Sequence, residues 1–132
     1  MSIKGKTLNF KNWAVVGATN KKNKYSYKIV KTLKENGYNV YPINPEFEEI
    51  AGLKCYDKLS SVEHNIDVVD LIVKPEIGIK IMKEIKELKI ENVWLQPGAR
   101  SKEIKKFAAE NKINIVEDSI YKSLNCICAR LK

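Results

Sequence analysis

A chain of 132 residues is the length of one domain, and 44% hydrophobic against 30% charged residues is the balance of an ordinary globular protein. Its longest apolar runs are about five residues, far short of the roughly 20 that a membrane helix needs, and no apolar run follows the N-terminal lysines. Neither a membrane span nor a secretory signal is expected, and a single cytoplasmic domain over 1–132 is. The net charge of +8, from 24 Lys and Arg against 16 Asp and Glu, favours anionic partners. The lysines are spread along every predicted helix instead of forming an arginine-rich or aromatic-interleaved block, which points away from nucleic acid.

Short β-rich runs alternate with helical patterns. Trp13-Ala14-Val15-Val16-Gly17 reads as a buried strand ending on glycine. A polar loop from Ala18 to Lys24 leads into a helix with Ile29, Val30 and Leu33 on its inner face, ended by Gly37. Asn39 to Ile43 is a second strand, stopped by Asn44-Pro45, and Glu46 to Asn65 reads as a loop with a short helical piece. Asp67 to Val73 is a third strand, stopped by Lys74-Pro75. From Glu76 to Lys89, apolar residues at Ile77, Ile81, Ile85 and Leu88 predict a helix stripe facing a sheet. Asn92 to Gln96 is a fourth strand, closed by Pro97-Gly98. Ser101 caps a helix with Ile104, Phe107 and Ala108 inside; Ile113 to Val116 is a fifth strand, and a helical tail starts at Ser119.

Five apolar strands joined mostly by helices predict an α/β fold: a Rossmann-like, doubly wound, five-stranded and mainly parallel sheet with helices on both faces. Ligands of such sheets lie outside the carboxyl ends of the strands, where strand order reverses. Unusual chemistry gathers at those ends here. The first strand runs into Gly17-Ala18-Thr19-Asn20-Lys21-Lys22-Asn23-Lys24-Tyr25-Ser26, and all four prolines lie at or beside strand ends. Gly17 lets the backbone turn sharply, the next helix offers unpaired N–H groups, Thr19, Asn20 and Ser26 add hydrogen bonds, and Lys22 or Lys24 adds charge. That is a logic for phosphate.

The pattern departs from the common nucleotide sites. An NAD site wants G-x-G-x-x-G and an acidic residue at the end of strand two, where this chain has Asn44-Pro45; no G-x-x-x-x-G-K-[ST] occurs either. The single histidine, His64, sits in a polar connection, and no Ser/His/Asp or Cys/His set reaches the rims, so no catalytic residue is assigned. Asp67 and Asp70 alternate sides of a buried strand and are expected to cap or pair structurally. Three cysteines, Cys55, Cys126 and Cys128, read as free thiols, and Cys126-x-Cys128 alone cannot enclose a metal.

Taken in order, Val15-Val16-Gly17-Ala18, Lys24-x-Ser26-Tyr27, Tyr41-Pro42-Ile43-Asn44-Pro45, Gly52-x-Lys54-x-Tyr56, Asp67-x-Val69-Asp70, Val73-Lys74-Pro75-Glu76 and Val93-Trp94-Leu95-Gln96-Pro97-Gly98 resemble the small stand-alone coenzyme A-binding proteins. These share their fold with the coenzyme-binding domain of the succinyl-CoA synthetase α-subunit. The resemblance runs from about Thr7 to Val116. It implies that Gly17, Ala18, Thr19 and Asn20, with Lys24, Tyr25 and Ser26, hold a pyrophosphate. It implies too that Asn44, Pro45, Val73, Lys74 and Pro75 line the adenosine end, with Lys74 near the ribose phosphate, and that Gln96, Pro97 and Gly98 border the pantetheine arm. Relatives often carry proline where this chain has Tyr25, and Asp-Arg-Cys where it has Asp118-Ser119-Ile120, so no role of that arginine or cysteine transfers.

The expected function is non-catalytic binding of coenzyme A or an acyl-CoA, as carrier, sensor or accessory subunit. The alternative is a redox protein or regulator that binds NAD(P) or another nucleotide.

Overall fold

The computed structural model describes residues 3–117. In chain order the elements are α1 (Ile3–Leu8), β1 (Asn12–Val16), α2 (Tyr25–Glu35), β2 (Asn39–Ile43), β3 (Glu49–Ile50), β4 (Leu53–Lys54), a 3-10 turn (Leu59–Ser61), β5 (Val68–Leu71), α3 (Pro75–Glu87), β6 (Asn92–Leu95), α4 (Lys102–Glu110) and β7 (Asn114–Glu117). Five strands make one parallel sheet in the order β2-β1-β5-β6-β7, while β3 and β4 form a small antiparallel hairpin.

The central strands β1, β5 and β6 are apolar in continuous runs because helices cover both faces. Trp13, Val15 and Trp94 pack with Ile29, Val30 and Leu33 of α2 and Leu8 of α1. Ala14, Val16, Val69, Leu71, Val93 and Leu95 face the other way, against Met82 and Ile85 of α3 and Ile104 and Ala108 of α4. At the amino edge the strands open with asparagines. Asn39 Nδ2 donates to Asn12 Oδ1 (2.9 Å), Asn114 Nδ2 to Asn92 Oδ1 (3.1 Å), and Asp67 Oδ2 accepts from the Asn12 backbone N–H (3.1 Å). These bonds pin the register at the end of the sheet opposite the rims.

Three expectations are corrected. The helix α1 has no counterpart in the sequence reading; six residues are too short to show a period. The segment 46–65 contains the β3–β4 hairpin as well as the short helical turn. The inner stripe of α3 is also different: Gly78, Met82 and Ile85 are buried, whereas Ile77 is 50% and Leu88 41% exposed. The cause is a neighbour. A Cβ on Gly78 would lie 3.0 Å from Ile104 Cδ1, so α3 packs on α4 there through a residue with no side chain. That contact rotates Ile77 outward. The helical tail expected from Ser119 and the pair Cys126 and Cys128 lie outside the described residues.

Met82→Ala is therefore expected to lower stability by about 2–4 kcal/mol. Ile77→Ser, on the residue that periodicity alone places inside, should change it by less than about 0.5 kcal/mol. Urea denaturation of the two variants checks the rotation of α3, and equal losses would contradict it.

Candidate functional site

After β1 the chain crosses to β2 on one side, and the strand on the other side of β1 is β5. The loops leaving β1 and β5 therefore diverge and leave a crevice between them, the place where doubly wound sheets hold ligands. An open cleft of about 340 Å³ lies there, lined by Thr19, Lys21, Lys24, Tyr25, Ser26 and Ile72.

Its floor is backbone. Gly17 has φ +96° and donates its N–H to Ile43 O (3.2 Å), and Ile72 N–H returns to Val16 O (2.9 Å). A Cβ on Gly17 would run into the backbone carbonyl of Ile72 and come within 2.8 Å of Val73 Cγ1. Glycine is thus required by two backbones in contact as well as by its dihedral angle.

Two helices open beside this floor, and both begin on a lysine. The N-cap of α2 is Lys24 and that of α3 is Lys74, neither helix has a side-chain cap, and Pro75 is the first residue of α3. By contrast, α4, one strand further from the crevice, is capped by Ser101, whose hydroxyl accepts from Ile104 N–H (3.1 Å). Ser, Thr, Asp and Asn are the favoured caps, and a cation at a helix N-terminus opposes the dipole. The first turn of α2 contains no acidic residue, and that of α3 has Glu76. An anion between Lys24 and the first turn of α2 would satisfy the N–H groups and the lysine together.

Of the residues expected in the site, Thr19, Lys24, Tyr25 and Ser26 line the cleft. Gly17, Ala18 and Val73 lie at its floor, Ala18 fully buried. Lys74 is exposed at the start of α3, and Pro45, Pro97 and Gly98 are exposed on neighbouring rims. Lys22 does not line the cleft. The turn closed by Lys24 N–H on Lys21 O (3.0 Å) brings its two end lysines together and leaves Lys22 at the tip, so Lys21 takes the place expected of Lys22. Asn20 and Asn44 serve the scaffold. Asn44 Nδ2 donates to Ala18 O (2.8 Å) and its Oδ1 accepts from Glu46 N–H (2.8 Å). Asn20 Nδ2 donates to Glu49 O (2.8 Å) and its Oδ1 accepts from Ala51 N–H (3.3 Å), tying the β1–α2 loop to the β3–β4 hairpin.

Gln96 is buried behind the cleft. Its Nε2 donates to both oxygens of Asp70, at 2.9 and 3.1 Å, and its Oε1 accepts from the Tyr25 hydroxyl at 3.4 Å. Asp70 was expected to cap or pair structurally, and Gln96 is the partner that the sequence left unnamed. Burial pushes its carboxyl up to about 8, and the Gln96 amide pulls the other way. Cys55 is buried with its thiol toward Asn44 O (3.4 Å), and burial pushes it up too. His64 is exposed and stacks on Tyr41, ring centroids 5.2 Å apart. Among the described residues no helix is long and apolar enough to cross a membrane, and no three His, Cys, Asp or Glu groups are placed to hold a metal.

Residues 11–125 match the family described as the CoA binding domain. The chain belongs to that family. It is 33% identical over 103 residues to the ADP-forming acetate–CoA ligase of Methanocaldococcus jannaschii, a match covering 78% of this chain but only 14% of the ligase. It is 25% identical to the uncharacterized protein YneT of Bacillus subtilis, over 89% of this chain and 87% of that protein. A solved hypothetical protein of Pyrococcus horikoshii has 34% identity and a TM-score of 0.83, with coverage of 88% and 82%. Within this CoA binding domain the crevice at β1 and β5 is where the fold, the cleft and the lysine-capped helices coincide.

Two outcomes follow from the geometry. Gly17→Val should destabilise the fold by several kcal/mol, because the side chain meets the Ile72 carbonyl and a β-branched residue is strained at positive φ. A thermal melt close to that of the parent would refute the contact. Asp70 holds in the folded chain a proton that the unfolded chain releases near its ordinary value of 3.8. With more protons bound in the folded state, its contribution to stability falls as pH rises between about 4 and about 8, then levels. Denaturation midpoints across that window should decline less steeply in Asp70→Asn than in the parent; parallel lines would mean that Asp70 is ionised throughout.

Proposed function

We propose that this chain binds coenzyme A or an acyl-CoA at the β1–β5 crevice and has no catalytic step of its own, serving as a carrier, sensor or accessory subunit. The observation that carries this reading is the pair of lysine N-caps, Lys24 and Lys74, on the two helices that open there, against the ordinary serine cap of α4. Two unfavourable caps on one crevice make physical sense when an anion with more than one phosphate bridges them. Coenzyme A carries a pyrophosphate and a separate ribose phosphate. The pyrophosphate fits the first turn of α2 with Lys21 and Lys24, and the ribose phosphate fits Lys74. The pantetheine arm would leave past Tyr25 toward Pro97 and Gly98.

Membership of the CoA binding domain family supports the ligand class. An NAD reading has less to stand on. The end of β2 offers Asn44, whose amide is spent on Ala18 and Glu46, in place of a carboxylate for ribose hydroxyls. A non-catalytic role is supported by what lines the cleft: two lysines, two hydroxyl-bearing residues, a tyrosine and an isoleucine, with neither a carboxylate nor a histidine. The sequence match to the M. jannaschii ligase spans a small fraction of that protein, so its reaction does not come with the match.

Calorimetric titration with coenzyme A, acetyl-CoA, NAD and ATP tests the ligand, and no binding of any CoA species at millimolar concentration overturns the reading. Lys74→Ala should weaken coenzyme A about tenfold, roughly 1.4 kcal/mol, the scale of one hydrogen bond to a charged group. Dephospho-coenzyme A, without the ribose phosphate, should bind both proteins alike. Equal losses for the two ligands would remove Lys74 from that phosphate.

A further inference from the structure

Helix α3 carries more apolar surface than its own chain covers. Gly78, Met82 and Ile85 are its buried residues, packed toward the sheet and α4. Immediately before each of them, at Ile77, Ile81 and Glu84, runs a second line that continues to Leu88. Its spacing of four, three and four is that of a seam between two helices. Ile77 and Leu88 are three turns apart and so share one side of the helix, and both are exposed, while Ile81 between them is partly buried. Glu84, the polar member of the line, has its Oε1 accepting from Leu59 N–H (3.2 Å), which draws its carboxylate toward the 3-10 turn. From Ile77 round to Met82 the apolar arc is roughly 140° wide, more than the roughly 100° with which a surface helix faces one core.

The charges beside this line suit one particular neighbour. On its outer flank stand Lys80 and Glu87, two turns apart and both exposed. Neither forms an ion pair within the described chain, although Lys31–Glu35 on α2 and Lys106–Glu110 on α4 do so at 3.9 and 4.0 Å. A copy of α3 turned end for end and laid against the first sets Ile77 level with the partner's Leu88, and Ile81 level with the partner's Glu84. The same operation brings Lys80 within about 3 Å along the axis of the partner's Glu87, and Glu87 equally near the partner's Lys80. A parallel copy would instead set like charges level with each other. It would also align the two helix dipoles, which the antiparallel pair opposes.

We propose that this face of α3 binds a second copy of the chain, the two α3 helices packing antiparallel about a two-fold axis. The contact is isologous: each copy supplies the same Ile77, Ile81 and Leu88, and each flanking charge of one copy meets the opposite charge of the other. It is also small. A single seam of three turns with two ion pairs falls at the low end of interface sizes, so the dimer is weak and reversible, with a dissociation constant between about 10 µM and about 1 mM. The seam begins about one turn beyond Lys74, on residues that do not line the cleft. The contact therefore stands apart from the coenzyme reading and leaves the crevice open in both copies.

Sedimentation equilibrium of the full chain, without ligand and at low ionic strength, tests the contact. The parent should pass from monomer toward dimer between about 10 µM and about 1 mM. Below that range it is monomeric, so the urea comparison of Met82→Ala with Ile77→Ser is unaffected. Ile77→Lys, on an exposed residue, should keep the circular dichroism and thermal melt of the dilute parent and weaken the dimer more than about tenfold. Lys80→Glu and Glu87→Lys should each weaken self-association about tenfold, because symmetry turns two attractive pairs into two repulsive ones. Mixed, with a fluorescent label on one of them, these two variants should form a heterodimer about as tight as the parent dimer, since opposite charges meet again at both pairs. A parent that stays monomeric up to about 1 mM overturns the proposal, in favour of residues 118–132 or a different protein as what covers the stripe. A dimer indifferent to Ile77→Lys, or a mixture no tighter than either charge variant alone, overturns the antiparallel α3 contact.

Discussion

Everything at the carboxyl edge depends on how closely β1 and β5 leave the sheet together. The backbone of Gly17 lies against the Ile72 carbonyl with no room for a Cβ between them. That contact holds the β1–α2 loop down on the end of β5, and it brings the N-terminus of α2 beside the loop that leads to α3. Two helix dipoles then open on one crevice, which concentrates positive potential there before any lysine is counted. The fold supplies the field, and Lys21, Lys24 and Lys74 reinforce it.

Division of labour among the polar residues follows from burial. At the amino edge asparagines bond to one another across strands and set register. At the carboxyl edge Asn20 and Asn44 bond to backbone carbonyls and N–H groups of adjoining loops, so a segment rich in lysine keeps one shape despite its mutual repulsion. A loop held this way loses little entropy when a ligand arrives, and preorganisation of that kind favours affinity without adding a contact. Asp70 and Gln96 do something different. They place polarity inside a largely aromatic and aliphatic layer, where an unpaired group would cost roughly 1–3 kcal/mol, and the cost is limited because Gln96 donates to Asp70 and accepts from Tyr25.

What local signals could tell, they told well. The five sheet strands, the helices between them and the rim residues at Gly17, Asn44-Pro45, Lys74-Pro75 and Pro97-Gly98 were all legible in the chain. The reason is that apolar periodicity and strand-ending residues act over a few neighbours, and a buried parallel strand needs nothing beyond them to be recognised.

Contacts between residues far apart in the chain were decided by the tertiary structure alone. The order β2-β1-β5-β6-β7, which puts the crevice between β1 and β5, is a choice among pairings that no strand encodes by itself. The rotation of α3 was set by the fit of Gly78 against Ile104, a contact that a count of apolar residues passes over because glycine has no hydrophobicity to count. Lys21 lines the cleft in place of Lys22 because a turn points the two in different directions, although they are chemically identical neighbours. Asn20 and Asn44 look like ligand contacts until their bonds to Ala18, Glu46, Glu49 and Ala51 are seen, and three of those four partners are 26 to 31 residues away. Sequence determines which groups are available and roughly where each strand ends; packing decides which of those groups are already spent, and only the remainder can face a ligand.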